Sequence, residues 1–105
     1  MNTEDEKIDL NDSVDIDEVM GSVSLPDVVE AIREDLEVSK VGMSKKLGIS
    51  KAHYGNFVAG LESVSIKRAG EWARILGQSE KVFIKYAIQD QLKRNNYFFR
   101  VSLSS

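Results

Sequence analysis

The chain has 105 residues, of which 42% are hydrophobic, and its formal net charge is −3. This length predicts a single domain, and the apolar fraction is typical of a globular protein. The charge is unevenly distributed, because residues 1–20 carry eight acidic residues and one lysine, a net charge of −7. Residues 21–105 carry 13 basic and nine acidic residues, a net charge of +4. The overall charge therefore does not exclude a nucleic-acid partner.

Several classes of protein are excluded more firmly. The sequence has no cysteine and one histidine, His53, so it predicts no disulfide, no thiolate site and no multi-histidine metal centre. It has neither a secretory signal nor an apolar stretch of the roughly 18–20 residues that span a membrane. No catalytic triad, carboxylate pair or glycine-rich phosphate loop can be recognised. We expect a cytoplasmic protein that is not an enzyme and binds no cofactor.

The N-terminal segment, residues 1–22, is polar and acidic, with isolated aliphatic residues and no sustained helical period. We expect it to be a disordered tail. Three further roles are compatible with its charge. It can keep the protein soluble, compete for the protein's own basic face, or fold on a basic partner protein.

Residues 23–96 have the pattern of a helical domain. Serines stand at helix N-cap positions, and apolar residues then recur every three or four positions until a glycine or an asparagine pair ends each run. The predicted helices begin after Ser24, Ser39, Ser50, Ser65 and Ser79, and they end near Leu36, Leu47, Val58, Gly77 and Arg94.

The C-terminal segment, residues 97–105, has a different period. Aromatic and aliphatic residues alternate from Tyr97 to Leu103, which predicts a short β-strand. A lone strand with an apolar face needs a partner. The partner can be the same strand of a second subunit, the N-terminal tail or another protein, and self-pairing would give a two-fold dimer.

The segment between Ser39 and Ser65 carries the functional signal. Ser44 is small where two short helices would cross, and Gly48 supplies the freedom that a tight turn needs. Ile49 would fill the corner of the turn, while Tyr54 and Phe57 would bury the inner side of the third helix. These five offsets together are typical of a helix-turn-helix.

The run VSKVGMSKKLGISKAHYGNFVAG resembles the Xre-type, lambda-repressor-like helix-turn-helix family. The resemblance extends from about Val28 to Gly77, and its most literal part is KKLGIS. It implies an all-α fold, a compact five-helix domain whose third helix enters the major groove of double-stranded DNA. To this domain the sequence adds the disordered acidic tail and the C-terminal β-strand.

The resemblance also implies a set of DNA-binding residues. Ser39 and Lys40 would contact phosphate at the start of the second helix, and Gly55 would let the backbone approach the sugar-phosphate chain closely. Charge agrees with this assignment, because residues 39–75 hold seven basic and two acidic residues. Residues on the third helix would face base edges. The complete set is Ser39, Lys40, Ser50, Lys51, Ala52, His53, Gly55 and Asn56.

We therefore expect a dimeric, sequence-specific transcriptional regulator, a repressor, since no residues remain for an effector domain. Small members of this family are often antitoxins that silence their own operon, which would make the acidic tail an arm for a basic toxin. The alternative is a protein-interaction module that has the helix-turn-helix fold and does not bind DNA.

Overall fold

A computed structural model describes residues 23–101, and these residues form five α-helices. The helices are α1 (Leu25–Leu36), α2 (Lys40–Leu47), α3 (Lys51–Val58), α4 (Ile66–Ile75) and α5 (Glu80–Arg94). The expected all-helical architecture is confirmed. The predicted disordered tail, residues 1–22, and the end of the predicted strand, residues 102–105, lie outside the described residues.

Every one of these helices begins at a serine cap. In each case the serine Oγ accepts a hydrogen bond from the backbone N–H three residues later, over 2.9 Å at Ser39 and 3.4 Å at Ser24. Ser24 forms a full capping box with Asp27, because its own backbone N–H donates to the Asp27 carboxylate over 3.1 Å. The other capping serines are Ser50, Ser65 and Ser79. The helix starts are thus fixed by contacts within a few residues of sequence.

The helices enclose one hydrophobic core. Helix α1 packs on α3 and α5, α2 packs on α3 and α4, and α4 packs on α5. At the centre Phe57 meets Trp72 edge to face, with ring centroids 5.1 Å apart. Three residues of the apolar helical patterns are exposed instead of buried, because Leu36, Ile66 and Val82 are 46%, 48% and 45% exposed. Each of them lies in the first or last turn of its helix.

Helix α3 is joined to α1 by a polar network. The hydroxyl of Tyr54, whose side chain is buried, donates to Glu30 over 2.5 Å. Arg33 pairs with the same carboxylate at 3.0 Å and also donates to the carbonyl of Val38 over 2.8 Å. Burial raises the pKa of Glu30, but the hydrogen bonds from Arg33 and Tyr54 outweigh burial and hold the pKa below its ordinary value of 4.5. The carboxylate is therefore ionised and satisfied at neutral pH.

The turn between α2 and α3 has the features that the sequence predicts for it. Gly48 adopts the left-handed conformation with φ of 75°, and its N–H bonds back to the carbonyl of Lys45. Ser44 is buried, and its hydroxyl donates to the carbonyl of Val41 over 2.7 Å. Ile49 packs against the core at the corner. A larger side chain at position 44 would separate the two helices.

The predicted C-terminal strand is wrong over the described part of the chain, residues 97–101, which has no regular secondary structure. Asn96 has φ of 65°, so the chain folds back after α5. The side-chain amide of Gln89 then donates to the carbonyl of Phe99 and accepts from the N–H of Val101, both over 2.7 Å. One amide side chain carries the same donor and acceptor as a peptide group. The Gln89 amide therefore bonds to residues 99 and 101 in place of the partner strand that we expected.

The network at Tyr54 gives a stability prediction. Tyr54→Phe removes the hydrogen bond to an ionised carboxylate, so we expect a loss of about 1.5–3 kcal/mol in the free energy of unfolding at pH 7. Because the pKa of Glu30 is lowered in the folded state, its contribution is present above pH 4.5 and is lost as the pH falls below that value. The variant should therefore lose less stability on acidification than the wild type, as measured by urea unfolding at several pH values.

Tyr86→Phe is the matched control, because Tyr86 packs against the core and its hydroxyl has no hydrogen bond among the described residues. It should change stability by less than about 0.5 kcal/mol. Equal losses in the two variants would contradict the assigned role of the Tyr54 hydroxyl.

Candidate nucleic-acid interface

Helix α3 divides cleanly into an inner and an outer side. Tyr54 and Phe57 are buried, whereas Lys51, Ala52 and Gly55 are exposed. The inner contacts fix the rotation of the helix, since Tyr54 is bonded to α1 and Phe57 is packed on Trp72. Lys51 and Ala52, expected to contact bases, therefore lie with Gly55 on a side of α3 that the core does not use, whereas His53 and Asn56 are half-buried.

Three other predicted site residues lie at helix starts. Ser39 precedes α2 with Lys40 beside it, and Ser50 precedes α3. Both serine hydroxyls are occupied as caps, accepting from the N–H groups of Gly42 and His53. Since α2 has eight residues, Ser39 and Lys40 lie about 12 Å along that helix from its turn into α3. The two ends of the predicted site are thus separated by one short helix.

The basic side chains near α3 are largely unpaired. Lys45, Lys46 and Lys51 are exposed, and within residues 23–101 none of them forms an ion pair. Arg74 in α4 differs, since it pairs with Glu80 at 3.0 Å. The unpaired lysines give this surface a local positive potential.

One contact at this surface is not predicted by the sequence. Glu62, in the loop after α3, accepts a hydrogen bond from Asn56 Nδ2 over 2.8 Å. Its other carboxylate oxygen lies 3.1 Å from His53 Nε2. Only the path of the loop brings Glu62 to this position, and a separation of six residues across a helix end has no sequence signature. Two of the predicted DNA-binding side chains are therefore already engaged by an acid.

A cleft of about 280 Å³ lies between the start of α1, the loop after α3 and the end of α5. Two of its charged side chains bond to the backbone of neighbouring segments. Asp90 accepts the N–H of Leu25 over 2.9 Å, and Arg94 donates to the carbonyl of Gly60 over 2.8 Å. Burial raises the pKa of Asp90, and the bond from Leu25 only partly offsets this effect. The cleft thus fixes the N-terminus of α1 and the loop that carries Glu62.

Comparisons of the chain with protein-family models, with curated proteins and with solved structures give no match. Within residues 23–101, no cluster of three histidine, cysteine or acidic residues is placed to hold a metal ion. The same part of the chain contains no helix with the length and apolarity to cross a membrane.

The glycine in α3 gives a prediction that needs no ligand. A Cβ added at Gly55 would meet nothing within 4 Å, and φ there is not positive. Gly55→Ala should therefore raise the free energy of unfolding by about 0.5–1 kcal/mol, because alanine is the better helix former. Thermal or urea unfolding measures the change.

Gly42→Ala, in the first turn of α2, is the control. A Cβ there would lie 3.3 Å from Ser39 Oγ, the N-cap hydroxyl, so the gain in helix propensity is offset by crowding. If Gly55→Ala were no more stable than Gly42→Ala, the outer side of α3 would carry a structural constraint that the geometry does not reveal.

Proposed function

We propose that the protein is a sequence-specific DNA-binding transcriptional regulator in which α2 and α3 act as a helix-turn-helix of the Xre type. The observation that supports this most directly is the outer side of α3. It presents Lys51, Ala52 and Gly55 free of the core, and the last turn of α2 adds the exposed, unpaired Lys45 and Lys46. A short helix with a small, polar and basic outer side fits the major groove, which is about 12 Å wide.

Each residue has a definite role in this proposal. Lys51 donates to guanine, Asn56 bonds adenine in a bidentate manner, and Ala52 contacts a thymine methyl group. Lys40 binds phosphate with the backbone N–H groups at the start of α2. Gly55 allows the backbone to approach the DNA closely.

The proposal includes a two-fold dimer that binds two half-sites about one DNA turn apart. Tyr97 and Phe99 are 57% and 52% exposed and pack edge to face, with ring centroids 6.2 Å apart. Two such aromatic pairs form a self-complementary contact. The dimer would act as a repressor in the cytoplasm. The acidic residues 1–20 would bind a basic protein, as the arm of an antitoxin binds its toxin.

One observation favours the alternative, a protein-interaction module that does not bind DNA. Glu62 contacts His53 and Asn56, and Leu61 beside it is 68% exposed. This end of α3 therefore also offers an apolar and acidic surface. Such a surface suits a protein partner more than a phosphate backbone. Selection of DNA sites decides between the two proposals.

The DNA-binding proposal predicts that the protein selects related sites with two-fold symmetry from a pool of random duplexes. Its affinity should fall steeply with salt, as phosphate contacts release counterions. Lys51→Ala with Asn56→Ala should abolish selection, and Gly55→Ala should weaken binding about tenfold or more through a clash, although it stabilises the free protein. Circular dichroism verifies that the variants remain folded.

Lys81→Ala is the control for charge, because Lys81 is exposed on α5, outside the proposed interface. It should leave the selected sequence unchanged and alter affinity by less than about twofold. A wild-type protein that enriches no sequence and shows no salt dependence would refute DNA binding and favour the interaction module.

The dimer is tested separately with Tyr97→Ser and Phe99→Ser combined. This variant keeps the backbone bonds from Gln89 to residues 99 and 101 and removes only the exposed rings. We expect monomers in sedimentation, whereas Val82→Ser, at a 45% exposed position on α5, should remain dimeric. A dimer that persists without the two rings would place the subunit interface elsewhere.

A further inference from the structure

The contact of Glu62 with Asn56 determines which way the Asn56 amide faces. The amide nitrogen lies toward Glu62, 2.8 Å from one carboxylate oxygen, so one of its two N–H groups is used within the protein. The amide oxygen and the second N–H remain available. An asparagine that rotates freely can present either its oxygen or its nitrogen to a base, and this one is restrained.

Glu62 is itself held from two sides. Its second carboxylate oxygen lies 3.1 Å from His53 Nε2, so the two oxygens face two different side chains of α3. The backbone beside it is also fixed, since the N–H of Leu61 bonds to the carbonyl of Asn56 over 2.8 Å. Arg94 anchors the preceding carbonyl, that of Gly60. The restraint on Asn56 therefore exists before any ligand binds.

The restrained amide suits adenine and not guanine. Adenine presents an N6 amino donor and an N7 acceptor in the major groove, which match the free oxygen and the free N–H of Asn56. Guanine presents two acceptors, O6 and N7, and its O6 would face the Asn56 oxygen. Discrimination between the two purines thus depends on the amide keeping its orientation.

We propose that Glu62 is a specificity-determining residue that positions Asn56 to accept adenine and reject guanine. This inference rests on the proposed DNA binding. Glu62 also places a negative charge on a basic surface, where it opposes the phosphates and reduces affinity for every sequence. Glu62 thus lowers the affinity for every sequence and raises the selectivity at one base pair.

Two substitutions of Glu62 separate its effect on selectivity from its effect on overall affinity. Glu62→Gln removes the charge but keeps an oxygen that can accept from Asn56, so affinity should rise about two- to fivefold while the preference for adenine persists. Glu62→Ala removes both the charge and the acceptor. Affinity should rise similarly, and the ratio of affinities for adenine and guanine at the selected position should fall about fivefold or more.

Glu71→Ala is the matched control, because Glu71 is the other acid between residues 39 and 75 and has no described contact with α3. It should leave the adenine-to-guanine ratio unchanged. Affinities are measured with duplexes that differ only at the position whose preference Asn56→Ala abolishes. The Asn56 side-chain amide resonances, followed by NMR in the free protein, should shift in Glu62→Ala and not in Glu71→Ala.

The outcomes distinguish this inference from the proposal on which it rests. A wild-type protein that selects no duplex refutes DNA binding and the role of Glu62 together. A wild-type protein that selects a site, with Glu62→Ala retaining the full preference for adenine, refutes only the role of Glu62. Loss of the preference in Glu62→Gln as well as in Glu62→Ala would assign the effect to charge and overturn the positioning mechanism.

Discussion

The hydrogen bond between Tyr54 and Glu30 is the constraint on which the surface of α3 depends. Helix α3 has only eight residues and contains a glycine, so its intrinsic helix propensity is low and packing must hold it. Tyr54 fixes its rotation against α1 through a buried hydroxyl, and Arg33 ties the same carboxylate to the chain entering α2. Because the inner side is fixed at a polar contact, the outer side is presented in one orientation.

The net charge of −3 conceals the distribution that matters. In the described part of the chain, the acid that packs next to α3 from α1 is neutralised by Arg33, whereas the lysines at positions 45, 46 and 51 are unpaired. At the contact between α1 and α3 the acid is thus neutralised, while the lysines of α2 and α3 remain unpaired at the surface. An average over the chain cannot represent this arrangement, since exposed charges act over a Debye length of about 10 Å and not over the whole molecule.

What could be predicted from the sequence is what depends on short separations. A serine cap bonds three residues ahead, so the starts of all five helices among residues 23–101 follow from the printed sequence, as does the turn at Gly48. The contacts of Gln89 and Glu62 span longer separations in the sequence. The Gln89 side chain bonds to the backbone of residues 99 and 101 because the chain reverses at Asn96. The alternating pattern after Asn96 does not reveal this reversal, and taken alone it predicts a strand. Glu62 reaches Asn56 only because the loop after α3 doubles back.

The glycines of α2 and α3 show where the fold stops accounting for the sequence. Gly42 has a structural reason, since a Cβ there would crowd the hydroxyl that caps α2. Gly55 has none, because a Cβ would meet open space and alanine would strengthen the helix. A residue that is unfavourable for its local structure and gains no compensating contact tends to lie at a functional position. An exposed glycine on a helix that already carries lysine and asparagine is explained if a large partner approaches the backbone there, and the sugar-phosphate chain of DNA is such a partner.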